Sequence, residues 1–303
     1  MSKQSGRSRC GVRIAGTGLA VPANVMTNED LAKVVDTSDQ WIIKRTGIKK
    51  RYVAKKDQTI RDLGAEALRQ AFGNAAIEPA DIDLLLLATM TPEMACPSSA
   101  ARLVNEIGAS PAGAMDLTAA CSGFVYALNL AASTIQAGHA RTVAAVGVET
   151  LSKIIDYSDR RTCILFGDGA GAVVVEAAAE EDTAGILEIR LHAEGKHAKL
   201  LWLEAPSSAE RPVRITKEMI DDGRAFPQMQ GRAVFKHAVT RMPEVLIETL
   251  NAASAKLEDV DLFLFHQANL RINEYVANQL EIPPERVFNN IERYGNCSAA
   301  AIP

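Results

Sequence analysis

The sequence of 303 residues is poor in aromatic side chains and contains no long apolar run. Aromatic residues make up 5% of the chain and hydrophobic residues 48%, and alanine and valine supply much of that apolar content. The uninterrupted apolar stretches, such as residues 84–88, are far too short to cross a bilayer. The sequence therefore predicts one large domain or two ordinary ones, built from packed helices and strands, with no membrane span.

Cysteine usage and charge exclude further classes of protein. Five cysteines occur without a CxxC pair, at positions 10, 96, 121, 163 and 297, so neither a disulfide framework nor a zinc site is indicated. No apolar segment follows the basic N-terminus, which argues against a signal peptide. The net charge of -4 gives no indication of nucleic-acid binding. We expect free thiols in a reducing, cytoplasmic compartment.

Three local patterns have plain structural explanations. The basic run at residues 44–56, with seven cations in thirteen positions, is typical either of a solvated surface strand and turn or of a phosphate-binding edge, and both remain open. The glycine-rich segment 166–172 leads into a strand, which favours a tight hairpin with positive φ over a dinucleotide site. The other histidines lack the spacing of metal ligands, so we predict structural or surface roles and no metal site for His139, His192, His197 and His237.

Two segments resemble each other at an offset of 178 residues. PADIDLLLLATMTPE at 79–93 matches LEDVDLFLFHQANLR at 257–271, and a helical pattern precedes each segment, at 59–77 and 237–255. Strands and helices alternate around both copies. The sequence therefore predicts an α/β fold with two similar sheet-and-helix halves.

The predicted halves are residues 1–178, which carry Cys121, and residues 179–303, which carry His266 and Asn296. Each copy of the repeat ends at a cluster of small residues. A helix and a further strand follow that cluster in the first half, whereas the sequence stops soon after it in the second. We therefore expect the C-terminal half to lack its final helix and strands.

Three polar residues follow predicted strands, where functional groups gather in α/β folds. Cys121 lies between a strand and a helix, whose N-terminus is expected to stabilise a thiolate. His266 directly follows the strand DLFLF, and Asn296 lies three positions before the counterpart of Cys121 in the repeat. A core thiol, a structural histidine and a helix N-cap would explain each residue alone. Pseudo-twofold packing would bring all three to one cleft, which predicts a cysteine nucleophile with two polar partners.

Five motifs resemble one known family, β-ketoacyl-[acyl-carrier-protein] synthase III. They occur in order, as DTSDQWIIKRTGIKKRY (36–52), AACSGF (119–124), DRRTCILFGDGAGA (159–172), HQANLRI (266–272) and GNCSAA (295–300). The resemblance implies the duplicated thiolase fold, layered α-β-α-β-α, which agrees with the repeat. It also implies a glycine-rich C-terminal loop that contributes to the oxyanion hole, and no such loop follows the last motif in the sequence.

The resemblance implies roles for residues that the patterns alone do not assign. Cys121, His266 and Asn296 match the family's catalytic triad. Positions that contact coenzyme A or its pantetheine arm correspond to Trp41, Arg45, Arg160, Gly231 and Asn269. Lys236 and Arg271 correspond to the surface that docks the acidic carrier protein. Cys96 stands where relatives often carry a bulkier residue in the acyl pocket, so we expect primers longer or more branched than acetyl to fit.

The implied reaction starts type II fatty-acid synthesis. An acyl-CoA acylates Cys121, malonyl-[acyl-carrier-protein] loses carbon dioxide, and the resulting carbanion attacks the acyl-cysteine while His266 and Asn296 donate to the enolate. No cofactor is implied, because acyl-CoA is a substrate. The implied partners are these two substrates and a second copy in a homodimer, with no nucleic acid and no membrane. The alternatives are a secondary-metabolism enzyme that primes a polyketide or acylates oxygen or nitrogen, and a catalytically silent partner subunit.

Overall fold

The computed structural model describes residues 11–179, 184–209 and 214–303. Its strands are β1 Val12–Ala20, β2 Asn24–Thr27, β3 Lys50–Val53, β4 Leu84–Ala88, β5 Gly113–Leu117, β6 Thr142–Glu149, β7 Gly169–Ala177, β8 Leu201–Trp202, β9 Gln228–Met229, β10 Phe263–Leu264 and β11 Val287–Phe288. Its helices are α1 Asn28–Ala32, α2 Asp39–Thr46, α3 Ile60–Ala75, α4 Ser99–Ile107, α5 Gly123–Gln136, α6 Lys217–Asp221, α7 Gly231–Ala252, α8 Leu270–Gln279 and α9 Ile291–Tyr294. None of these helices is long and apolar enough to cross a membrane.

The N-terminal half is built on a five-stranded sheet in the order β1-β7-β6-β4-β5. β4 pairs in parallel with β5 and β6, whereas β7 is antiparallel to β6 and β1. The central strand β4 reads LLLLA because both of its faces are covered, by α3 and α4 on one side and by α5 on the other. This arrangement confirms the predicted α/β class.

Helix α3 illustrates how the sequence sets one of these layers. Thr59 caps its N-terminus, accepting from the Asp62 backbone, while the Asp62 side chain accepts from the Thr59 backbone in a capping box. Apolar residues at helical spacing then face the sheet, among them the fully buried Leu63 and Leu68. The amphipathic pattern therefore fixes both the start of the helix and its buried face.

The C-terminal half has much less sheet among the described residues. β10 and β11 form a parallel pair of two residues each, and α7 and α8 pack against them around Phe263, Phe265 and Val276. The last ten residues leave this unit and pack on the N-terminal sheet. A Cβ added to Gly147, in β6, would stand 2.2 Å from the Ala299 carbonyl oxygen. The two halves defined by the sequence therefore share one packed interface at the chain's final segment.

Two local predictions need correction. The residues at 44–56 do not form one solvated strand, because 44–46 are the last turn of α2 and Arg51 in β3 is buried, donating to Asn28 Oδ1 and the Ile164 carbonyl at 2.8 Å each. The glycine-rich run is not a hairpin either. It leads into β7, and a Cβ added to Gly167 would stand 2.3 Å from the Tyr294 carbonyl oxygen. The glycines there allow backbones to approach closely.

Candidate active site

Cys121 lies at a sharp elbow between β5 and α5. The chain leaves β5 at Leu117, forms a 3₁₀ turn over Ala120–Ser122, and enters α5 at Gly123. Ala120, directly before the cysteine, has a φ of 47°, a left-handed conformation that costs a residue with a Cβ about 1 kcal/mol. The elbow holds Cys121, which is partly exposed, at the end of the sheet where the sequence predicted it.

Asn296 is fixed to the N-terminal half by its main chain. Its N–H donates to the Leu165 carbonyl at 2.9 Å, and its own carbonyl accepts from the Gly167 N–H at 3.1 Å. Its side-chain oxygen accepts from the Ser298 N–H at 2.9 Å, so the oxygen is held and the amide nitrogen is oriented. Within the described part of the chain, that amide nitrogen has no hydrogen-bond partner. It is therefore available as a donor.

Ser298 connects the two residues to a buried carboxyl group that the sequence reasoning missed. Its side chain lies near enough to the Cys121 thiol and to Glu149 to lower the pKa of both, and its hydroxyl lies 4.0 Å from Met90 Sδ. Glu149, at the end of β6, is fully buried and accepts from Thr91 Oγ1 at 2.8 Å and from the Met90 N–H at 3.0 Å. Burial raises the pKa of Glu149 to about 7, against the opposing effect of these hydrogen bonds.

The pKa of the Cys121 thiol is shifted by its surroundings. Burial, which is the largest effect, and the nearby Glu149 carboxyl raise the pKa of Cys121 to about 11, while the Ser298 hydrogen bond acts in the opposite direction. The two influences oppose each other: the withdrawal of water from the sulfur favours the neutral thiol, whereas the N-terminus of α5 favours the charge that develops during attack.

His266 occupies the turn that follows β10. Both of its ring nitrogens are buried without a hydrogen-bond partner, and burial lowers its pKa to about 4, so the ring is neutral near pH 7. The neighbouring Gln267 holds the turn, donating to the Phe265 carbonyl at 2.8 Å and accepting from the Asn290 N–H at 3.0 Å. No hydrogen bond joins the described His266 ring to Cys121. Unpaired buried nitrogens are rare in proteins and indicate a place for a ligand.

The residues assigned to coenzyme A gather around Trp41 in α2. The guanidinium carbons of Arg45 and Arg160 lie 5.6 and 5.1 Å from the Trp41 ring centre. Asn269 caps α8, accepting from the Arg271 N–H at 3.0 Å and donating to the Arg45 carbonyl at 3.1 Å. Four of the predicted contacts therefore form one exposed aromatic and cationic surface.

The remaining predicted residues lie on other surfaces. Gly231 is the first residue of α7, and Lys236 is exposed on the same helix. The Arg271 guanidinium carbon lies 5.8 Å from the ring centre of Phe235, the residue before Lys236 on α7. Cys96 is exposed in the loop before α4, and in the described part of the chain it forms no hydrogen bond with the other predicted site residues.

The missed residues carried weak signals in the sequence. Glu149 ends an apolar strand, where a carboxyl group is unusual, and Thr91 follows the strand beside it. Ser298 stands within the small-residue cluster that already contains Asn296. A search for polar residues at the ends of neighbouring strands would have found Glu149 and Thr91. Ser298 needed the fold, because its contacts come from three distant segments.

Comparisons with known proteins agree on one family. The family model described as 3-Oxoacyl-[acyl-carrier-protein (ACP)] synthase III matches residues 115–195, and its C-terminal counterpart matches residues 250–303. Beta-ketoacyl-[acyl-carrier-protein] synthase III of Xanthomonas euvesicatoria pv. vesicatoria is 45% identical over 293 residues, covering 96% of this chain and 87% of that protein.

Solved structures give the same result. The crystal structure of 3-oxoacyl-[acyl-carrier-protein] synthase III from Aquifex aeolicus is 46% identical, with a TM-score of 0.88, and the match covers 97% of this chain and 88% of that one. The priming beta-ketosynthase from the R1128 polyketide pathway is 32% identical, with a TM-score of 0.85 and coverage of 99% and 88%. The similarity thus extends over nearly the whole chain and is higher for the first of these structures.

Proposed function

The chain belongs to the 3-oxoacyl-[acyl-carrier-protein] synthase III family, and we propose that it performs this family's reaction through Cys121, His266 and Asn296. 3-Oxoacyl and β-ketoacyl are two names for the same group. The protein is an acyltransferase of thiolase-like α/β fold that condenses an acyl primer with malonyl-[acyl-carrier-protein] and so initiates fatty-acid synthesis. The observation that carries the residue assignment is Ser298, whose N–H donates to Asn296 Oδ1 and whose side chain lies near enough to Cys121 to lower the pKa of its thiol.

The first half-reaction loads the primer on Cys121. Its sulfur attacks the thioester carbon of an acyl-CoA, a C–S bond forms to the enzyme, and the C–S bond to coenzyme A breaks. Coenzyme A leaves as a thiol with the proton that Cys121 gives up. The Ser298 hydroxyl and the N-terminus of α5 support the developing thiolate, against the burial that favours the thiol.

The second half-reaction needs two donors for an enolate. The bond to the malonyl carboxylate breaks, carbon dioxide leaves, and the electron pair passes to the thioester oxygen. His266 is neutral and retains one ring N–H to donate, and the Asn296 amide supplies the second hydrogen bond. The enolate carbon then attacks the acyl group, giving the β-ketoacyl product and releasing the Cys121 sulfur.

The surface around Trp41 suits the nucleotide end of coenzyme A. An adenine that stacks on the Trp41 ring would take the place of the Arg160 guanidinium, now 5.1 Å from the ring centre, so Arg160 would swing outward to cover the other face of the base, and the nearby Arg45 would pair with phosphate. We assign Asn269 and Gly231 to the pantetheine arm by their match to the family motifs. We assign Arg271, beside Phe235, and the exposed Lys236 to docking of an acidic carrier protein by complementary charge, so they would affect mainly its association rate.

The edge strand β5 supports the proposal of a homodimer. It is the last strand of its sheet, and Met115 on it is 42% exposed, as is Met94 (40%) in the loop that contains Cys96. Pairing of two such edges would cover both methionines and bring Cys96 to the partner's acyl site.

A cysteine at position 96 leaves room for long primers. Initial rates with acetyl-, isobutyryl- and octanoyl-CoA test this pocket, and a strict preference for acetyl-CoA contradicts it.

Three further proposals concern the surroundings of the reaction. The division at residues 178 and 179 fits the end of β7 at Ala177, because the core around Phe263 uses only residues beyond it. A cytoplasmic location fits the free thiols at Cys96 and Cys121, which an oxidising compartment would endanger. No cofactor is needed, because the thioester activates the primer and loss of carbon dioxide generates the carbanion.

Acyl transfer to Cys121 provides the decisive test. We expect radioactive acetyl-CoA to label the wild-type protein at one cysteine and labelling to be lost in Cys121→Ser. Cys163→Ala, which removes a buried thiol elsewhere, serves as the control and keeps the label. Malonyl-[acyl-carrier-protein] then discharges the label as a β-ketoacyl product. Equal labelling of Cys121→Ser would overturn the assignment, and discharge only to an alcohol or amine would favour the secondary-metabolism alternative.

A further inference from the structure

A group of potential metal ligands lies outside the site described so far. Glu194 and His197 belong to the segment that ends in a 3₁₀ turn, Gly195–Leu200, and His237 lies on α7. One ligand atom from each of the three residues lies within 4.8 Å of the other two. The two histidines are 40 residues apart in the sequence, so their spacing is not that of a local metal-binding motif, and only the fold brings them together.

The geometry leaves coordinating atoms available. The rings of His197 and His237 have centres 4.2 Å apart, and Glu194 Oε2 lies 3.6 Å from His197 Nε2. Arg241 pairs with the other Glu194 oxygen, Oε1, at 2.6 Å. Among the described residues, His237 makes no hydrogen bond. Two imidazoles and one carboxylate oxygen thus face a common point without being satisfied by one another.

The two elements that carry these ligands are already joined. The Gln230 N–H, just before α7, donates to the Leu200 carbonyl at 2.8 Å, and its side chain reaches the Lys199 carbonyl at 3.4 Å. The 3₁₀ turn and the helix are therefore held in register before any ion binds. Such preorganisation lowers the entropic cost of assembling a site from two segments.

We propose that Glu194, His197 and His237 bind a divalent transition metal ion, with Zn²⁺ as the best chemical match. Neutral imidazole and carboxylate groups are the protein ligands of zinc sites in which three side chains and one water molecule surround the ion. Tetrahedral bonds of about 2.1 Å place neighbouring ligand atoms about 3.4 Å apart, so the side chains close by roughly 1 Å on binding. The ion then links the 184–200 segment to α7.

The proposed metal site has a structural role and takes no part in the condensation. Its ligands line a cavity that is also lined by Ser122 and Tyr126, and among the described residues that line it Cys121, His266 and Asn296 do not occur. Binding stabilises α7, the helix that begins at Gly231, rather than supplying a Lewis acid to the substrate. The inference therefore stands or falls separately from the proposed function.

Calorimetric titration of the chelator-treated full chain with ZnCl₂ tests the proposal. We expect one ion per chain, and loss of at least 10-fold in affinity in His197→Ala and in His237→Gln. A Zn²⁺ concentration of 100 times the wild-type Kd should raise the wild-type melting temperature by about 5 °C and that of His237→Gln by at most about half as much. His192→Ala is the matched control, because His192 lines the same cavity but pairs with Glu248 at 2.7 Å.

Co²⁺ absorption separates this site from binding at a thiol. The proposal predicts a Co²⁺ spectrum without thiolate charge-transfer bands and unchanged by Cys96→Ala. Absence of Zn²⁺ binding by the wild type overturns the proposal. Equal loss in His192→Ala also overturns it, since that result would mean nonspecific binding by the cavity. A folded His237→Gln that retains wild-type affinity would overturn the ligand assignment.

Discussion

The two sides of the candidate site are held in different ways. Cys121 and Asn296 are anchored to the five-stranded sheet by an elbow, by main-chain hydrogen bonds and by Ser298. His266 stands on a strand pair of two residues, and its ring nitrogens are buried without partners. In the proposed mechanism this difference would separate two tasks: one side would hold a covalent intermediate in a fixed place, and the other would keep donor capacity for charge that appears only when the second substrate reacts.

The largest expected effect tests this separation of tasks. His266→Ala should slow condensation by about 10² to 10³, as removal of an oxyanion donor does, and leave acetylation of Cys121 within a few-fold of the wild-type rate. Single-turnover labelling by acetyl-CoA measures the first step, and decarboxylation of malonyl-[acyl-carrier-protein] measures the second. His139→Ala, a histidine outside the site, is the control. Equal loss in both half-reactions would show that His266 also serves acyl transfer and would break the comparison.

A smaller effect concerns the buried carboxyl on the anchored side. Glu149 binds its proton more tightly when folded, with a pKa of about 7 against 4.5, so its contribution to the free energy of unfolding is fully present below pH 4.5 and is lost as pH rises through 7. His266 has the opposite sign, because its lowered pKa gives a contribution present above pH 6.5 and lost as pH falls to about 4.

Urea unfolding at pH 5 and pH 8 measures the Glu149 contribution. Between these values we expect the wild type to lose roughly 2 to 3 kcal/mol more stability than Glu149→Gln, because glutamine has no proton to release. The His266 contribution is the same in both proteins and cancels. Glu66→Gln, an exposed position on α3, should follow the wild type. Parallel pH profiles for wild type and Glu149→Gln would show that the carboxyl is not under the desolvation inferred here.

For the anchored side, the sequence predicted which residues take part but not the environment that surrounds them. Strand and helix periodicity gave the α/β class, and the repeat gave a physical reason for Cys121, His266 and Asn296 to converge. The pKa shift of Cys121 was not predictable, because the helix that follows it is visible in the sequence, whereas the burial and the Glu149 carboxyl that raise the pKa depend on the fold. Distant chain segments supply that environment, and no local pattern encodes their meeting.

Sheet content was overestimated for a related reason. The repeat compares residue types and does not show which strands pair. DLFLF therefore resembled the buried strand β4, although only Phe263–Leu264 forms a strand, which pairs with β11. The glycine-rich run was misassigned because positive φ and close backbone approach both favour glycine, and only packing against Tyr294 distinguishes them. The sequence thus indicated that glycine is needed in this segment, but not whether positive φ or close backbone approach requires it.

The smallest expected effect tests the link inside the anchored side. Ser298→Ala removes the hydrogen bond that lowers the Cys121 pKa, so the thiolate fraction at a given pH should fall. One hydrogen bond of about 1 kcal/mol corresponds to a reduction of roughly fivefold in the rate of alkylation by iodoacetamide at pH 8. The measurement uses a Cys96→Ala background, because Cys96 is exposed and reactive in its own right. Ser133→Ala, at an exposed position on α5, is the control. Identical alkylation profiles for the two variants would mean that the sheet and the elbow position Cys121 without help from the segment that carries Asn296.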